Sequence, residues 1–304
     1  MKRLILKTMM NFPFKPMNIE DVINNKINAI ESYLNHILQE EDSVLDQAMR
    51  YIVFSGGKRF RPLLTLFSGD CFGVTQKVLM PFACALELIH NYSLVHDDLP
   101  SMDNDDFRRG KPSCHKVFGE DIALLAGDGL LTLAFEIMTR ASVDANSLEK
   151  KNRVISLIGK AAGIRGMIGG QLLDISYSQE DMNKQKMYDL ISKKTGALIL
   201  AAVMAGAYLG DASPRHLSGI EDYGKSIGFA FQIRDDVLDS YEDHSGEKKR
   251  RPNMALLFGE DEAKRLIVHF VNRGKEALRK AVIDSEGLFA LASKLLDEKQ
   301  NENE

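Results

Sequence analysis

Two acidic stretches carry the chemistry open to this chain. The first reads His96-Asp97-Asp98-Leu99-Pro100-Ser101-Met102-Asp103-Asn104-Asp105-Asp106-Phe107-Arg108-Arg109-Gly110, and the second Gln232-Ile233-Arg234-Asp235-Asp236-Val237-Leu238-Asp239. Each follows an apolar run with helical spacing. Carboxylates this dense repel one another, by on the order of 4 kcal/mol for a pair ~4 Å apart at an effective dielectric near 20. A hard divalent cation such as Mg²⁺ offsets that cost with oxygen ligands, and it commonly shares its shell with substrate phosphates. The Arg108-Arg109 pair suits a phosphate partner. A solvated acidic loop would explain one such cluster; two, each attached to an apolar helix, point to a site built from aspartate, metal, diphosphate and arginine.

Spacing decides which aspartates can cooperate. Asp235 and Asp239 are four apart and share one helical face, with Asp236 beside them. Asp97 and Asp103 are six apart, and an unbroken helix would point them about 120° away from each other. Pro100 disfavours helix at Leu99. The expectation is a helix that ends near Asp98 and a chain that curls to bring Asp103 back to Asp97. A helix carboxyl end is a poor place for anions, so metal binding explains these residues better than helix stability does.

The positioning elements read as helices. Ile19, Val22, Ile23, Ile27, Ile30, Leu34, Ile37 and Leu38 recur at steps of three and four over 19–40, and a second helix covers 44–54. The segment Ser55-Gly56-Gly57-Lys58-Arg59-Phe60-Arg61-Pro62 interrupts. Its glycines let backbone N–H groups approach an anion, Lys58 and Arg61 add charge, and a plain basic turn is the alternative. Pro62 opens a helix to about residue 71. Residues 79–98 are apolar nearly all round, so this helix is expected at the centre. Further helices are expected over 121–138, 147–175 (with Gln171 and Asp174 one turn apart), 182–210 with a kink near Gly196, 216–238, 254–257, 261–282 and 288–296. Gly163, Gly166, Gly169 and Gly170 read as close helix packing. Residues 240–254, with Lys248-Lys249-Arg250-Arg251, read as a solvated loop or a phosphate-covering lid. No strand pattern of useful length appears. The fold class is therefore all-α, a single-domain antiparallel helical bundle over 19–296 around a central cavity, with a loose arm over 1–18 and a polar tail over 297–304.

The 304 residues suffice for a sizeable core, and a net charge of −4 gives no sign of a nucleic-acid partner. Cys71, Cys84 and Cys114 are odd in number and scattered, which argues against a disulfide framework and for a reducing, cytoplasmic setting. Cys114 and His115 lack a second pair at zinc spacing. No apolar run reaches membrane-spanning length, and Lys7 interrupts the faintly signal-like amino end, so neither a membrane span nor a signal peptide is expected.

Five motifs in order resemble the trans-isoprenyl diphosphate synthases, most closely their farnesyl-forming bacterial members: residues 56–62, 97–109, 166–174, 194–199 and 231–239. The resemblance covers about residues 40–240. It implies the isoprenoid-synthase type of bundle and a Mg²⁺-dependent condensation of isopentenyl diphosphate with dimethylallyl or geranyl diphosphate to a C15 product. It also implies residue roles. Asp97 and Asp103 would bind two metals and Asp235 a third, with Asp98, Asp236 and Asp239 supporting. Arg108 would hold the allylic diphosphate; Lys58, Arg61, His90 and Arg109 would hold isopentenyl diphosphate. Lys194, Thr195 and Gln232 would flank the ionising bond and shield the cation. Tyr92, five residues before Asp97, would floor the hydrocarbon cavity. A homodimer is expected on the same ground. The chain departs from the family after Asp239, where the loop is shorter and lacks a Thr-Tyr-Pro stretch; Lys248 and Arg251 would replace the lysines of that loop. The same chemistry with a C10 or C20 product, a non-catalytic isoprenoid-binding partner subunit and a terpene cyclase are the rivals. Retention of both aspartate clusters opposes the partner subunit, and a second cationic site opposes the cyclase.

Overall fold

A computed structural model describes residues 18–39, 43–178, 182–242 and 252–297. Most of the expected arm, the 243–251 part of the expected lid and most of the polar tail lie outside the described residues. Fourteen helices and one two-stranded hairpin follow one another along them: α1 (Ile19–Ile37), α2 (Val44–Val53), α3 (Phe60–Asp70), α4 (Gln76–Asp97), β1 (Phe107–Arg108), β2 (Lys111–Pro112), α5 (Cys114–Phe118), α6 (Glu120–Arg140), α7 (Leu148–Ala162), α8 (Met167–Ser176), α9 (Lys184–Ile191), α10 (Ala197–Leu209), α11 (Pro214–Glu242), α12 (Met254–Phe258), α13 (Glu260–Ala281) and α14 (Glu286–Lys294). A 3₁₀ turn precedes α7, and a π turn over Ser192–Gly196 joins α9 to α10. The fold is all-α, as expected.

Local chemistry explains the element ends. The Asn18 side chain accepts from the Glu20 N–H and two acids sit in the first turn of α1, which suits the helix dipole. Ser43, Asn183, Asn253 and Ser285 cap α2, α9, α12 and α14 in the same way. Helix α3 starts two residues before Pro62, so Phe60 and Arg61 lie in its first turn. The stretch expected as one helix over 147–175 is two, because the chain breaks at Gly163–Gly166 before α8 resumes. Residues 240–242, expected in a loop, extend α11.

The helices pack in a chain of neighbours: α6 on α4, α4 on α3, α3 on α10, α10 on α11, and α11 on α13. Helix α4 is buried on nearly every side, from Leu79 to Val95, which its all-round apolar composition required. Thus α4 and α11, the two helices that carry the aspartates, stand apart with α3 and α10 between them.

One expectation is corrected here. Gln76–Asp97, Glu120–Arg140 and Lys184–Leu209 are each long and apolar enough to cross a membrane by length and composition. The sequence reading looked for uninterrupted runs; polar residues such as Glu87, His90 and Asn91 break the run in α4 without lowering its mean hydropathy enough. The fold hides 78% of the most apolar window of the first and 72% of the third, but 39% of the second.

Candidate active site

The first acidic stretch curls as its spacing required. Helix α4 stops at Asp97, and the Asp103 N–H donates to the Asp97 carbonyl at 2.9 Å. Met102 N–H and Asn104 N–H both donate to the Leu99 carbonyl, at 2.8 and 3.1 Å. Both Asp97 and Asp103 are half-buried on this turn. Asp98 does not join them. Its carboxylate is buried and takes the Arg108 Nε on both oxygens, at 3.0 and 3.3 Å, while Arg108 Nη2 also reaches Asp98 and, at 3.2 Å, Asp105. In this arrangement Asp98 orients Arg108. Burial raises the Asp98 pKa, and Arg108 opposes that rise.

Arg109 is aimed by its backbone. It and Gly110 form the two-residue turn between β1 and β2, both at positive φ (52° and 70°), the sign pattern of primed hairpin turns. The left-handed backbone is uncommon for a non-glycine residue. It sends the guanidinium back across the site, where Nη1 donates to the Gly56 carbonyl. Gly56 and Gly57 have φ of 119° and 123°, and a Cβ on Gly57 would sit 3.0 Å from the Arg109 guanidinium carbon. Glycine is thus required there by backbone and by space. Lys58 is exposed on the same loop and Arg61 is buried in the first turn of α3, over the Phe231 ring at 5.7 Å.

His90 lies two turns before Asp97 on α4. Burial, then Arg61, Arg109, Arg108 and Arg59, hold its pKa well below the usual histidine value. The native ring is neutral near pH 6, where the unfolded chain binds a proton. By linkage, stability contributed by neutral His90 is present above the unfolded pKa, about 6.5, and is lost as pH falls below it. Thermal denaturation from pH 7.5 to 5 should show a falling Tm whose slope is reduced in His90→Gln; identical slopes would refute this.

The second acidic stretch sits on α11. Burial, then Asp239 and Asp236, push the Asp235 pKa up to about 7, against the pull of Arg234 and Arg61. Asp236 is raised to about 7 as well, chiefly by burial. Its carboxylate accepts from Gln232 Nε2 at 2.7 Å and from the Met254 N–H at 2.8 Å, and its carbonyl accepts from Asn253 Nδ2 at 2.8 Å. Asp236 thus ties α11 to the start of α12. Gln232 in turn accepts from Thr195 Oγ1.

Thr195 and Lys194 lie on the π turn where a kink was expected. Such turns insert a residue into an α-helix and are frequent at functional sites. Two glycines make room for it: a Cβ on Gly170 of α8 would stand 2.2 Å from the Lys194 nitrogen, and one on Gly228 of α11 would stand 2.9 Å from the Gly196 Cα. Lys194 Nζ meets Asp174 Oδ2 of α8 at 2.5 Å. Among the described residues Arg61 Nε and Gln171 Nε2 are buried donors with no protein partner.

These groups sense one another across the bundle. Arg61 feels Glu87, Asp235 and Arg109, and Asp236 feels Asp174. The loop before α3, the hairpin turn, α4 and α11 therefore surround shared space. Among the described residues no three His, Cys, Asp or Glu form a closed metal cage. That donor set fits Mg²⁺, which takes one or two carboxylates and completes its shell with water and phosphate oxygens. Sequence reasoning missed Arg59 and Glu87, discussed below; two opposite charges at buried positions were the available signal.

Known proteins share this arrangement along the chain. Residues 42–267 match the polyprenyl synthetase family model. The chain is 38% identical to the farnesyl diphosphate synthase of Geobacillus stearothermophilus over 90% of its own length and 95% of that protein's. It is 36% identical to the farnesyl diphosphate synthase of Escherichia coli (strain K12), over 92% and 98%. Among solved structures, geranyltransferase from Legionella pneumophila superposes with a TM-score of 0.80 at 36% identity, over 91% of this chain and 96% of that one. The family match, the identities and the near end-to-end coverage agree, and the chain belongs to the polyprenyl synthetase family.

Proposed function

We propose that this protein is a farnesyl diphosphate synthase, which condenses isopentenyl diphosphate with dimethylallyl and then geranyl diphosphate. The observation that carries the reading is the electrostatic neighbourhood of Arg61, which links Asp235 on α11 with Arg109 in the hairpin turn. Full-length likeness to farnesyl diphosphate synthases supports it.

In the reaction the allylic C–O bond breaks and its electron pair leaves with the diphosphate. The alkene of isopentenyl diphosphate then supplies the pair for the new C–C bond, and a proton departs to the released diphosphate. Bound Mg²⁺, three ions per site, supplies positive charge to the leaving diphosphate. Asp97 and Asp103 would hold two of these ions from the curled end of α4, and Asp235 would hold the third from α11. Arg108, oriented by Asp98, binds the allylic diphosphate. Lys58, Arg61 and Arg109 bind the second diphosphate, and neutral His90 donates one ring N–H to it. The Lys194 ammonium, the Thr195 hydroxyl and the Gln232 amide lie along the ionising bond and exclude water from the cation, in a geometry set by Asp174, Asp236 and the π turn.

The protein works in the cytoplasm, in keeping with its three free thiols. It forms a homodimer. Support comes from α6, whose outer face exposes Leu124 and Leu125 at 47% and 51%; a second copy of the chain would cover that face.

Purified protein incubated with labelled isopentenyl diphosphate, dimethylallyl diphosphate and Mg²⁺ tests the reading. Extension that stops at C15 supports it. Binding without turnover would favour a partner subunit, and a cyclised hydrocarbon would favour a cyclase.

A further inference from the structure

We propose that Arg59 is a positioning residue for the second diphosphate site, held by two glutamates, Glu31 of α1 and the buried Glu87 of α4. The inference rests on the prenyltransferase reading above. Arg59 itself points away from the substrate space. It is 2% exposed, and each nitrogen of its fork donates: Nε to Glu31 Oε1 at 2.5 Å, Nη1 to Glu87 Oε1 at 2.8 Å and Nη2 to the Val53 carbonyl at 2.7 Å. Glu31 belongs to α1, Glu87 to α4, and Val53 is the last residue of α2, whose carbonyl has no partner within its own helix. One guanidinium therefore fastens three helices to a single backbone point.

That point is where the cradle is made. Arg59 has a φ of 49° and occupies the N-cap position of α3. No side chain caps this helix in the usual way, so the residue is held in the left-handed region by what its guanidinium grips. On one side of it Gly56 and Gly57 present the carbonyl that seats Arg109. On the other side Arg61 begins α3 with its Nε buried and without a protein partner. A planar fork with three fixed acceptors sets this geometry in a way that a point-like ammonium cannot.

The charges give the same answer. Glu87 is 2% exposed and is close enough to act on Arg61. Without Arg59 the buried Glu87 carboxylate would draw Arg61 inward, away from an incoming anion. Arg59 neutralises Glu87 from behind and leaves Arg61 for the ligand. The allylic diphosphate is served by other groups, Arg108 and the aspartates, none of which accepts from the Arg59 guanidinium. The effect should therefore fall on one substrate alone.

Steady-state kinetics with each substrate varied in turn tests this. Glu31→Gln, on α1 and partly exposed, should raise the KM for isopentenyl diphosphate about fivefold, as expected for weakening one charge-assisted bond. The KM for the allylic diphosphate and kcat should stay within about twofold of wild type. Arg59→Lys, which keeps the charge and loses the fork, should raise the same KM by about thirtyfold. Wild-type turnover in the same assay carries the prenyltransferase reading, whereas only the split between the two KM values carries this one. Parallel rises in both KM values, or an unchanged KM for isopentenyl diphosphate in Glu31→Gln with a normal Tm, would overturn it.

Discussion

Asp97→Ala lowers kcat by about a thousandfold, the result of losing roughly 4 kcal/mol of transition-state stabilisation, and leaves Tm unchanged or higher. Two features of α4 lead to the second half of that expectation. The Asp97 carboxylate stands at the carboxyl end of a 22-residue helix, where an anion is unfavourable by about 0.3–1 kcal/mol. The turn that follows is closed by the Asp97 backbone carbonyl, which receives the Asp103 N–H at 2.9 Å and is kept in the alanine variant. The side chain can go while the curl remains. Activity assays at saturating Mg²⁺ beside thermal denaturation decide the matter. A structural aspartate would show the two falling together; a metal ligand shows activity lost from a fold that is no worse.

Tyr92→Ala moves the main product from C15 to C20 and longer. Tyr92 is 5% exposed, five residues before Asp97, and its hydroxyl has no hydrogen-bond partner among the described residues. Burial, then Asp97, raises its pKa to about 12, so the phenol is neutral. A buried hydroxyl without a partner is costly, and a ring that bounds a cavity for hydrocarbon explains why one is kept there. The ring is backed by His96, edge-on with centroids 5.7 Å apart, and His96 is itself fixed by the Leu124 carbonyl of α6 at 3.0 Å. The floor therefore rests on a second layer, and its removal opens space without collapsing α4. An ordinary core aromatic would instead cost about 3–5 kcal/mol on truncation, with no change in product. Chromatography of the reaction products, read beside Tm, separates the two outcomes.

Much of this was legible in the sequence because the signals were local. The apolar spacing of α1, the all-round apolarity of α4 and the break at Pro100 each depend on residues within one or two turns, and each element formed as read. The curl from Asp97 to Asp103 followed from the six-residue spacing together with the break at Pro100. What could not be read depends on partners far along the chain. Asp98 and Asp103 look equivalent on paper, yet Asp98 faces Arg108 because the hairpin returns there. Asp236 looks like a companion to Asp235 until α12 delivers the Met254 N–H to it. The exact form of the kink at Gly196 depended on Gly170 and Gly228 from α8 and α11. Arg59, Glu31 and Glu87 are separated by 28 residues at each step, beyond the reach of any periodicity. The apolar helices were underestimated for a different reason, since isolated polar residues interrupt a run without changing a helix's average character.

The π turn at Ser192–Gly196 has an implication for how this gene could change. A widened turn is one residue more than a regular helix holds, and each residue of an α-helix turns the chain by about 100°. Deleting any one residue between Ser192 and Gly196 would let α9 and α10 merge into an ordinary helix. The flanking helices would keep about their present faces, because the widened turn is what absorbs the extra residue, but Lys194 and Thr195 could not both keep their present bearings toward Asp174 and Gln232. Substitutions at Ser192 and Lys193 should be survivable, whereas a single-codon deletion in this stretch should not.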